Sequence, residues 1–289
     1  MTSTSARVCV VTGASSGIGE AAAARLATLG NTVVLACRRQ ARAEEAAERI
    51  RATHPSGPVV PMECDLASLR SVRAFAANVL DRHARIDALV NNAGVVPEQR
   101  QLTEDGFEHV LAVAFLGPFL LTTLLLPSLR ARTGERAGRV VNLAGIYHRH
   151  GALDLDDLMF ARRAWELGAV NAQAQLARVA ITVELARRIP SSECTANAVH
   201  PGAVRTHAQD HAPWWAKLMI ETVARPVFVA ASEGAAPVVH LVGASELEGV
   251  SGHFFDRMHD STLVPAATNA EVNARLWARA MELTGASPG

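Results

Sequence analysis

The chain has 289 residues, 49% of them apolar, and 28 basic residues balance 28 acidic ones. That length suits one large α/β domain with a sizeable core. Zero net charge speaks against a nucleic-acid-binding face or a polybasic membrane patch. The polar start MTSTSAR speaks against a signal peptide, and no apolar run reads as long enough to span a bilayer. The expectation is a cytoplasmic protein with neither a nucleic-acid nor a membrane partner.

In chain order, RVCVV (7–11), TVVLA (32–36), VVPME (59–63), DALVN (87–91), RVVNL (139–143) and TANAV (195–199) read as buried parallel strands. Ala-rich or amphipathic stretches at 18–29, 40–52, 68–82, 104–130 and 166–188 fit crossover helices between them. HFFD (253–256) reads as a last strand and ATNAEVNARLWARAMEL as a terminal helix. The alternation predicts an α/β, Rossmann-like, doubly wound parallel sheet. The whole chain, 1–289, reads as a single domain, with 144–165 and 200–231 as its long irregular parts. Loops after the strands should carry the site. Cys9, Cys37, Cys64 and Cys194 lie in or beside apolar runs without metal-type spacing, which predicts buried free thiols and no metal site.

VVTGASSGIGE joins the first strand to the first helix, with Gly13, Gly17 and Gly19 spaced GxxxGxG. Glycines there let backbone amides approach a pyrophosphate, and a helix N-terminus offers partial positive charge. Alone, the motif equally fits a tight strand-helix turn. TGASSGIG resembles the cofactor motif of the short-chain dehydrogenase/reductase family. Asp65 with Leu66 in CDL, Asn91-Asn92-Ala93-Gly94, and HPGAVRT with Pro201, Gly202, Val204 and Thr206 follow in the family's order. ACRR, EEAAERI, GPFLLT and ELARR are similar to its retinol-dehydrogenase-like branch.

The resemblance implies a nicotinamide cofactor held by Gly13, Ser15, Ser16, Gly17, Ile18, Gly19, Asp65, Leu66, Asn92, Ala93, Gly94, Pro201, Gly202, Val204 and Thr206. Arg38 and Arg39 close the second strand where a carboxylate would hold an NAD ribose. Arginine there suits a 2′-phosphate and favours NADP(H); the alternative is a pair of solvated helix-start residues.

The family's catalytic set is Asn, Ser, Tyr and Lys. Matched by their neighbours, those places hold Ala114, Gly145, Asn171 and Gln175. The chain has one tyrosine, Tyr147, and one lysine, Lys217, so no YxxxK can exist in it. Trp165 is a rival for the tyrosine place, with an indole that cannot act as an acid. Gln175 is a candidate to hydrogen-bond the cofactor ribose. Arg178, one turn further, is expected to point too far along the helix to replace the lysine.

Tyr147 and His148 follow the fifth strand and are the candidate catalytic pair, or else pocket-wall residues. Gly145, Tyr147, His148, Asn171, Trp214, Trp215 and Met219 are the candidate substrate-binding residues. The tryptophan pair lies in a substrate-covering loop at about 203–231. It fits a bulky apolar or aromatic substrate, or a core-packed or oligomer-facing helix. His207 and His211 read as loop residues.

A positioned general acid contributes about 10²–10⁴-fold, and its loss weighs least on substrates whose reduced anion is self-stabilised. The reading is therefore NADPH-dependent reduction of an activated conjugated substrate, such as a polycyclic aromatic quinone, in natural-product tailoring. The alternatives are a non-redox cyclase, dehydratase or isomerase using Tyr147 or His148, and a non-catalytic NADP(H)-binding partner protein. The family resemblance implies a homo-oligomer, dimer or tetramer.

Overall fold

The computed structural model describes residues 7–53, 56–130, 136–202 and 229–287. Seven parallel strands form the sheet: β1 (Val8–Thr12), β2 (Thr32–Cys37), β3 (Val59–Glu63), β4 (Ala88–Asn91), β5 (Gly138–Leu143), β6 (Cys194–His200) and β7 (Phe254–Asp256). An antiparallel edge strand, β8 (His259–Ser261), pairs with β7, and the spatial order is β3-β2-β1-β4-β5-β6-β7-β8. Chain order reverses direction beside β1, between β1 and β4. That topological switch opens a crevice at the carboxyl ends of the strands.

Both sheet faces are buried, and alternate strand residues divide between them. Cys9, Val11, Val33, Leu35 and Val90 join one core, covered by α1 (Gly17–Thr28), α2 (Gln40–Thr53) and, further along, α6 (Ala231–Gly243). Val10, Val34, Leu89 and Val140 join the other, covered by α3 (Leu69–Arg82), α4 (His109–Arg130) and α5 (Leu167–Arg188). The four cysteines are free and buried. Burial pushes the Cys9 and Cys194 thiols up to about 12, so they pack as small apolar groups.

The expected strands and crossover helices are present. α6 and β8 are additions to the sequence reading. Gly234 and Pro237 lie inside α6 and weaken its intrinsic propensity. Ala235, Val238 and Leu241 bury its inner face in the first core, and that burial decides the outcome.

α4 corrects one expectation. It runs 22 residues, long and apolar enough to cross a membrane by length and composition, and 89% of its most apolar window is buried inside the protein. The terminal helix α7 (Ala270–Thr284) covers it, with Trp277 edge-on to Phe119 at 5.0 Å between ring centroids. Within α4, Ala112–Leu116 form a π-helical turn, a local widening common at functional sites.

Candidate active site

The turn after β1 is built from close backbone approach. Gly13 has φ +65°, and a Cβ there would stand 2.9 Å from the Ala93 Cα. At Gly19 a Cβ would meet the Gly13 oxygen and the Asn92 side chain, each at 2.4 Å. Gly17, at φ +59°, faces open space. Thr12 and Asn92 lock this turn to the one after β4. Asn92 Nδ2 donates to the Thr12 and Gly13 carbonyls, and the amides of Asn92 and Ala93 donate to Thr12 Oγ1. Ser16 caps α1 without a side-chain bond, so the first-turn amides face the crevice unclaimed by a cap.

Beside that turn lies a cleft of about 560 Å³. Ser15, Ser16 and Gly17 form one wall, and Arg38, Arg39, Arg42 and Arg49 the other. Arg49 grips Glu20 with two bonds of 2.8 Å and donates to the Ser15 carbonyl at 3.1 Å. Arg42 pairs with Glu45. Arg38 and Arg39 are exposed and pair with no carboxylate among the described residues. The cleft suits an anionic group such as the phosphate-bearing end of a dinucleotide. Its backbone leaves room for phosphates, and its cations outnumber its one carboxylate, Glu20. Arg42, Arg49 and Glu20 are residues the sequence reading lacks. Arg49 comes from α2, and no motif spacing points at it.

Further along the crevice, Asp65 is half-buried and its Oδ1 accepts from the Ala67 amide. Leu66 is buried, and Gly117 packs against its carbonyl. Gly94 borders open space. Gly202 has φ +94°, beside Pro201 at the end of β6. Val204, Thr206, His207, His211, Trp214, Trp215, Lys217 and Met219 lie outside the described residues, as does nearly all of the proposed 203–231 loop.

Across the crevice, Gly145, Asn171 and Gln175 come together. The Gly145 amide donates to Gln175 Oε1 at 2.9 Å, and Gln175 Nε2 donates to Asn171 Oδ1 at 3.3 Å. A Cβ on Gly145 would make only ordinary contacts, at 3.9 Å, with Gln175 and Tyr147. Tyr147 is 59% exposed. His148 is buried, with its ring 4.4 Å from that of Phe254. Its Nδ1 lies 2.8 Å from the Gly145 carbonyl, which requires the N–H there. Nε2 then carries the lone pair, and it has no partner among the described residues. Burial lowers the His148 pKa, so the ring is neutral at neutral pH. Trp165 is taken up elsewhere: its indole donates to the buried Glu108, which caps α4.

Arg178 does not point along the helix, as expected. It is buried, and its guanidinium turns inward beneath the crevice. It donates to the carbonyls of Ala114 at 2.7 Å, Ala93 at 3.0 Å, Asn91 at 3.5 Å and, by a short bond, Leu143. A buried polar ladder runs alongside. Asn91 Nδ2 donates to Thr122 and Asn142, and Asn142 Nδ2 donates to Thr182.

Beyond it, Asp157 gathers the loop 154–163. Its carboxylate accepts from the amides of Ala161, Arg162 and Arg163 and from the Arg163 side chain. Burial alone would raise the Asp157 pKa; those donors outweigh it and hold the carboxyl at about 2.

The short chain dehydrogenase family profile matches residues 7–153. Human retinol dehydrogenase 13 is 40% identical over 283 residues, covering 96% of this chain and 85% of that protein. Mouse polyprenol dehydrogenase is 41% identical over 286 residues, covering 98% and 85%. A crystal structure of an uncharacterized protein from Mycobacterium paratuberculosis has a TM-score of 0.79 at 32% identity, covering 98% of this chain and 95% of that one. A Shigella flexneri short chain dehydrogenase complexed with NADP shares the fold, with a TM-score of 0.68 at 22% identity over 88% of this chain and 97% of that one. These relatives overturn the cytoplasmic expectation. Retinol and polyprenol are isoprenoid alcohols that partition into lipid, and α4 removes the argument from missing apolar length.

Proposed function

This chain belongs to the short-chain dehydrogenase family of oxidoreductases, which use a nicotinamide dinucleotide, and from that premise we propose that it is an NADPH-dependent reductase of an activated, conjugated carbonyl compound, such as a polycyclic aromatic quinone. Residues Gly13, Ser15, Ser16, Ile18 and Gly19 and the Asn92–Gly94 turn would seat the dinucleotide, with Arg38 and Arg39 on its 2′-phosphate. When bound, that cofactor would supply the hydride.

The observation that carries the reading is the pairing of Gly145, Gln175 and Asn171. These positions match the family's serine, lysine and tyrosine places, and here they hold a backbone amide and two neutral carboxamides. Neither carboxamide exchanges a proton near neutral pH. A saturated ketone would then form a basic alkoxide with no acid to meet it. A quinone differs: it takes up the hydride, the electron pair comes to rest as a ring-stabilised phenolate, and water supplies the proton. Alignment of the reactants does the remaining work. Relatives named for retinol and polyprenol favour a substrate with a long or bulky apolar body.

A fluorescence titration with NADPH, followed by NADPH absorbance against a panel of quinones, tests this. The expected result is tighter binding of NADPH than of NADH and one NADPH consumed per quinone reduced. NADPH consumption with saturated ketones as fast as with quinones would overturn it. A second reading, a non-redox isomerisation or dehydration, draws on the bare Nε2 of His148 as a base. Product formed without NADPH consumption, and lost in His148→Phe, would favour that reading.

A further inference from the structure

Arg178 is a buried cation with no anion beside it. Its four acceptors are all backbone carbonyls, drawn from the ends of β4 and β5, the Asn92–Gly94 turn and the π-helical turn of α4. Among the described residues it forms no ion pair, and desolvation is the one cause that moves its pKa, down to about 10. It therefore stays charged at neutral pH. Carbonyl dipoles solvate such a charge locally, but a dipole's field fades faster with distance than the monopole it surrounds. The positive potential persists into the crevice above.

Two carboxylates stand on the surrounding elements: the buried Glu108 that caps α4, which accepts from the Leu111 amide and the Trp165 indole, and Asp256 of β7, which acts on His200; neither pairs with Arg178. On the ends of β4 and β5 the neighbouring side chains are Asn91, Asn92 and Asn142, and on α5 they are Asn171, Gln175 and Thr182, all neutral. Burial lowers the pKa of both His148 and His200, so they are neutral too. Arg149 and Arg257 stand at the rim, exposed, where solvent screens them. Asn171, Gln175 and Arg178 share one stripe of α5 at i, i+4 and i+7. The charge thus lies one turn below the amide pair at Gly145.

We propose that Arg178 is a positioning residue that also acts at a distance, as a fixed positive charge beneath the substrate place: it braces the floor and stabilises the oxyanion left when a conjugated carbonyl takes up hydride. The role rests on the reductase reading for its reaction, but the potential itself can be measured without turnover. It assigns the site a preference for aromatic and enolic anions over their neutral acids.

The probe is 4-nitrophenol, whose absorbance reports its own ionisation. It is titrated with pH in the presence of the full-length protein, with and without NADP⁺, because the oxidised cofactor adds a charge of its own. In the cofactor-free wild type the bound phenol should ionise about one pH unit below its free value, as expected for an opposite charge just beyond direct contact. Arg178→Lys keeps the charge and should keep most of the shift. Arg178→Gln should return the phenol to its free value. With quinones, Arg178→Gln should lose about tenfold in kcat at nearly constant KM, the loss growing as the hydroquinone becomes less acidic.

No shift in the wild type, or no binding of the phenol at all, overturns the proposal, even if neither variant folds. Equal loss of shift in Arg178→Lys and Arg178→Gln also overturns it and leaves Arg178 a brace only. A charge-dependent shift without quinone reduction overturns the reductase reading and leaves the electrostatic role standing. Quinone reduction without a shift does the reverse.

Discussion

The two walls of the crevice tolerate change to very different degrees. On the glycine-turn side, backbone meets backbone, and a single Cβ at Gly19 would overlap two atoms at 2.4 Å. On the α5 side, a Cβ at Gly145 would find ordinary contacts at 3.9 Å, and the polar work is done by interchangeable carboxamides. Steric closure constrains the first wall's residue types. The second wall is made of side chains with room around them, and its chemistry can be replaced without disturbing the fold.

The strongest way to break that contrast is on the tight side. Gly19→Ala should weaken NADPH binding by up to about 150-fold, since overpacking of this kind costs about 1–3 kcal/mol, and it should lower the melting temperature as well. Gly145→Ala should leave both within about twofold. Fluorescence titration and thermal melts of the two variants side by side settle it; equal losses would erase the distinction. Next in size is the charge on the cleft wall. Arg38→Ala should weaken NADPH binding by about 10- to 30-fold, the worth of a charge-assisted phosphate contact, while NADH binding stays nearly constant. A parallel loss for both cofactors would show that Arg38 does not read the 2′-phosphate.

A smaller effect, confined to acid, tests the outer edge of the second wall. Asp157 is held at about 2 by the amides of loop 154–163, against 3.8 unperturbed. Its folded pKa is depressed, so its contribution to stability is present above about pH 4 and is lost as the pH falls through about 2. Urea melts between pH 2 and pH 5 should show that slope in the wild type. Asp157→Asn should flatten it, because the amide cannot ionise. A slope unchanged by the substitution would mean that other carboxylates carry the acid sensitivity.

Much of the fold was legible because both faces of the sheet are buried. Runs such as TVVLA and RVVNL had to be apolar throughout, and the spacing between them left only crossover helices. The glycine turn was legible for the same steric reason that makes it intolerant. α6 was not legible, since Gly234 and Pro237 hide a helix that only its burial against α1 sustains. Nor was the role of Arg178. Its acceptors are carbonyls as many as 87 residues away, and carbonyls carry no sequence signature. Arg49, which ties α2 to the Glu20 carboxylate and the Ser15 carbonyl, was hidden because those partners lie 29 and 34 residues away. Residue types under steric constraint were legible, and residues held by distant partners were not.

The smallest expected effect carries a decisive comparison, because it concerns the chain's single tyrosine. Tyr147 stands in the turn after β5, beside Gly145, where a phenol could meet a substrate oxygen. Yet it is 59% exposed, and its hydroxyl has no hydrogen-bond partner among the described residues. A phenol that no neighbour orients is poorly placed to act, because general acid catalysis needs the donor held within hydrogen-bond reach of the reacting oxygen. Tyr147→Phe should therefore change kcat for quinone reduction by less than about twofold, with no new dependence on pH between 6 and 9. A general acid's removal would instead cost about 10²–10⁴-fold. A loss of that size would make Tyr147 the acid, and the contrast between the two walls would shrink to a difference in packing.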